Sequence, residues 1–238
     1  MIAVARREIS YFFSSATGYL VIGLFLLTSG LFLWVFPGDY QILDAGFADL
    51  GAFFDLAPLL MLILIPGICM RSISEERRMG TLQMLLTRPI STWQLVLGKF
   101  TGAFLLMLLA LIPTLTYVWT ISEMSLIPGN WDLGVVLGSY FGLLFLAAAY
   151  TAIGLFCSSL SSNQIVAFLM AVILIFLIYF GLNSLTELSG QEIFSKLGMQ
   201  SHFDSMSRGV LDSDDLIYFL TVTILFLWMT KISLESKR

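Results

Sequence analysis

Ser74-Glu75-Glu76-Arg77-Arg78-Met79-Gly80-Thr81-Leu82-Gln83-Met84-Leu85-Leu86-Thr87-Arg88-Pro89-Ile90-Ser91 is a short charged island between two apolar runs. Each flanking run is long enough to enter a bilayer, and the charges between them must face water. The second half of the island is not simply polar. Leu82, Leu85 and Leu86 recur at i, i+3, i+4, the spacing of one helix face, and such a stripe needs a surface to pack on. Gly80 offers a break before this short helix. Pro89 ends it, because a residue before proline, here Arg88, is pushed out of helical geometry. Ser91-Thr92-Trp93-Gln94 then carries the pattern of a capping box opening the next helix.

The rest of the chain is built like the flanks of this island. Of 238 residues, 58% are hydrophobic and 12% charged, about half of the roughly 25% charge of a soluble domain. The mean hydropathy is +0.92. No charge occurs from Ile9 through Gly38, from Phe100 through Ser122, or from Leu133 through Thr186. A helix crosses a bilayer with about 20 apolar residues, so the last run holds two spans. Ser158-Ser159-Leu160-Ser161-Ser162-Asn163 is the polar turn expected between them. Two shorter runs lie between Asp55 and Arg71 and around Leu216 to Leu234, where Lys231 would snorkel. The expected fold is all-α: one polytopic domain over 1–238, with spans near 17–36, 55–74, 98–120, 133–157, 163–183 and 215–234. The first span is too long for a signal-peptide core and lacks a cleavage site of small residues.

Basic residues orient the chain. With the N-terminus in the cytoplasm, ten of the twelve Lys and Arg residues fall inside, leaving only Lys196 and Arg208 outside. Twelve of the sixteen acids fall outside. Both termini are therefore expected in the cytoplasm. Cys69 and Cys157 then lie at cytoplasmic span ends, away from the oxidising side, and are expected as buried thiols rather than a disulfide.

Residues 1–16 are expected as an interfacial helix. Ile2, Ala5, Ile9, Phe12, Phe13 and Ala16 share one arc, and Arg6 and Arg7 would sit near lipid phosphates. The outer segment 186–215 carries Phe194, Leu197, Phe203, Met206 and Val210, which fit one or two short helices on or dipping into the outer surface. Asp212, Asp214 and Asp215 are explained as carboxylates at the start of the sixth span, favoured by its dipole, rather than as metal ligands.

Chemistry of its own is not visible. No phosphate-binding G-x-x-x-x-G-K-[ST] motif is present, and Gly98-Lys99 lacks the upstream glycine and the hydroxyl. His202 is the one histidine, so neither a His-rich metal site nor a Ser-His arrangement can be built. No charge lies at a span centre, where an ion-coupled pump needs one. The expectation is no cofactor, no metal, no catalytic residue, and energy supplied by another subunit.

With these residues in view, the chain resembles the ABC type-2 transporter permeases. Glu75-Glu76-Arg77-x-x-Gly80-Thr81-Leu82-Gln83-x-Leu85-Leu86-x-x-Pro89-Ile90-Ser91 is similar to a segment that follows the second of their six spans. Gln83 stands where that family often has Glu. Further stretches resemble gliding-motility-associated permeases of the GldF type: Ser91 to Lys99, Gly138-Ser139-Tyr140-Phe141-Gly142-Leu143, Ala147 to Gly154, Leu31 to Phe36, and His202 to Asp212.

The resemblance implies two permease halves, homodimeric or hetero-assembled, in an inner membrane above cytoplasmic ABC ATPases, with no nucleic-acid partner. It makes the segment after the second span the coupling helix. Leu82, Leu85 and Leu86 would seat in the ATPase with Arg77, Arg78 and Arg88 at the rim. Gly80, Thr81 and Pro89 would frame that helix. Glu75 and Glu76 would pair with the N-terminal helix or the ATPase, and Arg6, Arg7, Ile9, Phe12 and Phe13 would belong to the interfacial helix. The narrower likeness implies a GldG-type auxiliary membrane protein. The alternative is a non-transporting scaffold that passes ATP-driven motion to a membrane or periplasmic partner.

Overall fold

Six helices long and apolar enough to cross a membrane run through the computed structural model, which describes residues 2–45, 49–81, 91–124, 132–189, 194, 196–210 and 212–236. No strand occurs among the described residues. The chain is a polytopic all-α membrane protein.

Helix α1 (Ile2–Ser14) is a separate amphipathic piece. Ser15 breaks it from α2 (Ala16–Trp34), the first span, and its hydroxyl accepts from the Thr17 amide. A four-residue α3 (Ile42–Ala45) follows. The second span is α4 (Gly51–Cys69), continued through a turn into α5 (Ser74–Arg78). It starts four residues before its expected boundary because the Asp55 side chain is exposed and does not stop the helix.

The third span, α6 (Thr92–Leu111), opens on the expected capping box: Ser91 accepts from the Gln94 amide and Gln94 from the Ser91 amide. A 3-10 turn at Ile112–Thr114, with Pro113 inside it, leads into α7 (Leu115–Met124). The fourth span is α8 (Leu133–Leu160), capped by Asp132. The fifth runs as α9 (Gln164–Phe176), a π-helical stretch Leu177–Gly181, and α10 (Leu182–Ser189). A short α11 (Met199–Ser207) precedes the sixth span, α12 (Ser213–Glu235).

Helix α8 is the centre of the bundle. It packs on α12, α4, α9 and α11, and Leu143, Leu146, Ala149, Tyr150 and Ile153 are fully enclosed. Small residues make this possible: a Cβ on Gly154 would meet the Cys69 Cβ at 2.8 Å, so α8 and α4 touch almost backbone to backbone there. Helices α9 and α12 keep their apolar outer faces exposed, with Ile165, Ile173, Ile217 and Ile224 all outward, as lipid-facing spans require.

Two sequence expectations are revised. Ser158 and Ser159 are not in a turn: α8 continues to Leu160 and buries both, and the turn is confined to 161–163, with Asn163 capping α9. Of the outer apolar residues, Phe203 and Met206 are buried against the bundle, but Val210 is exposed, because α11 ends at Ser207 and the chain has left its axis.

Candidate functional site

At the end of the bundle that carries α1, three separate elements are tied by charge. Helix α1 packs on α6 around Lys99 and Gly102. Its apolar face turns to protein: Phe12 is buried, and Val4 and Phe13 pack partly on the core. One acid shares that face. Glu8 is 6% exposed, in line with Ala5 and Phe12 along the helix.

Glu8 is neutralised by Lys99 of α6, which is 1% exposed. Lys99 Nζ donates to Glu8 Oε1 at 3.1 Å, lies 3.0 Å from Glu76 Oε1, and donates to the Ser72 carbonyl at 2.5 Å. The ammonium thus has two hydrogen-bond acceptors and a second carboxylate at ion-pair distance. Arg7 closes the group from outside, donating to Glu76 Oε1 at 2.5 Å and Glu8 Oε1 at 3.2 Å. Burial alone would lower the Arg7 pKa, but the hydrogen bond and charge of Glu76, helped by Glu8, outweigh it and hold it above the ordinary value. The guanidinium therefore stays a fixed charge. Two cations thus face two carboxylates, linking α1, α5 and α6.

The close fit of α1 depends on Gly102. A Cβ there would meet the Glu8 Cβ at 2.6 Å. Only glycine one turn below Lys99 lets α1 come near enough for Glu8 to reach the ammonium.

A second set of bonds fastens α5 to the end of α8. Ser158 Oγ accepts from the Ile73 amide at 3.1 Å and the Ser74 amide at 3.2 Å, and donates to the Met70 carbonyl at 3.2 Å. Ser74 Oγ also donates to the Met70 carbonyl. Arg77 donates to the carbonyls of Ser159 and Leu160 at 3.1 and 2.8 Å. These belong to the last turn of α8, where helix carbonyls lack partners and the dipole favours a cation. Thr81 Oγ1 donates to the Glu76 carbonyl, and Gly80 turns the chain with φ 70°.

The sequence-expected residues thus separate into three groups. Glu76 and Arg7 meet in the buried cluster, with Tyr11 Oη 3.5 Å from Glu75 at its edge. Arg77 faces the α8 terminus rather than an outer rim, while Arg6, Arg78 and Met79 are exposed and Ile9 is half-buried. Leu82, Leu85, Leu86, Arg88 and Pro89 lie outside the described residues. Arg7, expected near lipid phosphates, pairs with Glu76 while its side chain stays half exposed.

Sequence reasoning missed Glu8, Lys99, Ser158 and Gly102. A signal for Glu8 existed: a lone acid on an apolar helical arc demands a buried cation. Lys99, flanked one residue before by Gly98 and three after by Gly102, was the candidate.

At the other end, the lone histidine is similarly engaged. His202 Nδ1 lies 2.6 Å from Asp215 Oδ1 and Nε2 2.9 Å from the Lys196 carbonyl, with the ring stacked on Tyr218 at 4.0 Å. Asp215 thus has a partner within the protein. No group of three or more metal-ligating side chains occurs among the described residues.

Residues 39–230 match the family model described as ABC-2 family transporter protein. No curated protein matches the chain.

Proposed function

Since the chain belongs to the ABC-2 transporter family and is a multi-pass membrane permease of an ABC transporter, we propose that its 74–91 segment is the site where a separate cytoplasmic ATPase drives the bundle. The observation that carries this reading is the Glu8–Lys99–Glu76 cluster. It joins the base of the segment to α1 and to the third span, so a push delivered below Gly80 is passed to two helices instead of being absorbed in a loop. Arg77 and Ser158 extend the connection to α8, the central helix.

In this reading both termini are cytoplasmic, the membrane is the bacterial inner membrane, and ATP hydrolysis belongs to the partner. Two permease halves work together. Leu82, Leu85 and Leu86 seat in the ATPase, where burying a leucine is worth about 1.5–3 kcal/mol. Support for a role in gliding motility, beside a GldG-type membrane protein, comes from the sequence resemblance alone. The scaffold alternative shares this apparatus and differs only in whether a solute crosses.

The test is the double variant Leu85→Asp with Leu86→Asp. The account expects loss of ATPase co-purification with an unchanged elution profile of the membrane subunit. Undiminished ATPase capture rejects the assignment.

A further inference from the structure

At the end of the bundle away from the charged cluster, α11 is set against α8 and α12. On the α8 side the contact is backbone on backbone: a Cβ on Gly138 would lie 2.5 Å from the Met206 carbonyl oxygen. On the α12 side it is polar and runs through one ring. His202 Nδ1 lies 2.6 Å from Asp215 Oδ1, and Nε2 lies 2.9 Å from the carbonyl oxygen of Lys196, in the segment leading into α11. Tyr218 stacks on that ring at 4.0 Å and donates from Oη to the Leu197 carbonyl at 2.5 Å. Residues 196–202 are therefore held to the first turns of α12 by His202, Asp215 and Tyr218.

The two histidine contacts fix a number of protons. A carbonyl oxygen only accepts, so Nε2 must carry a hydrogen. A second hydrogen must lie between Nδ1 and Oδ1, whichever atom owns it. A neutral imidazole beside an ionised aspartate has one hydrogen for these two contacts, and the geometry needs two. The pair therefore holds an extra proton. Without it, lone pairs face each other at either 2.6 or 2.9 Å. Asp215 has little else to support its charge: it is 5% exposed, and its Oδ2 is enclosed with no hydrogen-bond partner.

The surroundings leave the pair to itself. Among the described residues, His202 is the one cation-forming side chain within ion-pair distance of Asp215. Helix α8 offers no charge here, since no acidic or basic residue occurs between Leu133 and Leu160. On α11, Asp204 stands two positions from His202, turned to the opposite face, and Arg208 follows the helix end; both are exposed. Asp214 of α12 and the Lys196 side chain are also exposed. Tyr218 of α12 and Tyr179 of the π-helical stretch are the remaining titratable groups packed nearby.

We infer that the His202–Asp215 pair is a proton-operated latch. With the shared proton in place it clamps residues 196–202 to the start of α12. When the surroundings turn alkaline and the proton leaves, one of the two contacts becomes repulsive and that segment comes away. The proton is the ligand, and the pair is its site. The latch lies at the far end of the bundle and does not depend on the coupling reading.

The test places a nitroxide label on Leu197→Cys, a position 51% exposed, in the full chain lacking Cys69 and Cys157. Continuous-wave electron paramagnetic resonance reads its mobility at about pH 6 and about pH 9, either side of the ordinary imidazole range. The mobile fraction should rise about tenfold at the higher pH, the effect of one lost charge-assisted hydrogen bond. Asp215→Asn should keep the label immobile at both, because an amide can donate to Nδ1 or accept from it and no shared proton is needed. His202→Gln should give the same spectrum at both pH values. A label on Ile173→Cys, on the exposed face of α9, should not respond. Equal mobility at Leu197→Cys across the two pH values overturns the inference, as does a response that survives Asp215→Asn or His202→Gln. A parallel response at Ile173→Cys overturns it too, because the loosening would then be global.

Discussion

Glu8 of the N-terminal helix and Lys99 of the third span, 91 positions apart in the chain, meet at 3.1 Å in a site closed to solvent. Neither charge would be tolerable there alone. An unpaired buried ion costs several kcal/mol, and only the second carboxylate, Glu76, together with the Ser72 carbonyl, completes the ammonium's bonds.

Lys99→Met removes the cation between two buried carboxylates. The expected loss is about 3–5 kcal/mol, seen as a lowered thermal midpoint of the purified protein. Combining it with Glu8→Gln and Glu76→Gln should recover most of that loss, since an uncharged cluster of similar volume avoids desolvation. A triple variant as unstable as Lys99→Met would contradict the ionic account.

Gly102→Leu should push α1 off the third span, because even a Cβ would sit 2.6 Å from that of Glu8. The measurable outcome is protease cleavage within residues 2–14 of a protein whose spans remain helical by circular dichroism. Continued protection of α1 would show that the helix can be accommodated elsewhere.

Ser158→Ala leaves the Ile73 and Ser74 amides buried without an acceptor. The expected cost is about 1–3 kcal/mol, with faster hydrogen exchange at those two amides and little change at Leu95 or Val96. Uniform exchange across the bundle would mean the serine acts globally rather than as a local splice.

Arg77→Ala should cost about 1.5 kcal/mol through two lost charge-assisted hydrogen bonds to the α8 terminus. Because Arg77 faces α8, the variant should weaken ATPase-driven coupling without weakening ATPase capture. Co-purification and stimulated hydrolysis, measured side by side, separate the two.

The spans were legible because membrane insertion is written locally: charge gaps, the Ser91–Gln94 cap and the small residues of α8 each carry their meaning within one helix. Boundaries moved where a charge could point outward, as Asp55 does. The cluster was harder to read because its members come from three elements. Lys99 counted only as one more positive charge on one side of the membrane. The acid on the apolar arc of α1 called for a cation, but the glycines flanking Lys99 do not show that a second carboxylate, Glu76, meets it across the packed interface. His202 and Asp215 were equally opaque, since an acid in the first turn of a helix already has a sufficient local explanation in the dipole.

The most direct measurement of the central claim is the sidedness of the 74–91 segment. Met79 is 60% exposed, so a Met79→Cys variant in a background lacking Cys69 and Cys157 can be labelled with a membrane-impermeant thiol reagent. Labelling in inside-out vesicles, blocked by bound ATPase, is the predicted result. Labelling from the periplasmic face of intact cells would contradict it, and the coupling role with it.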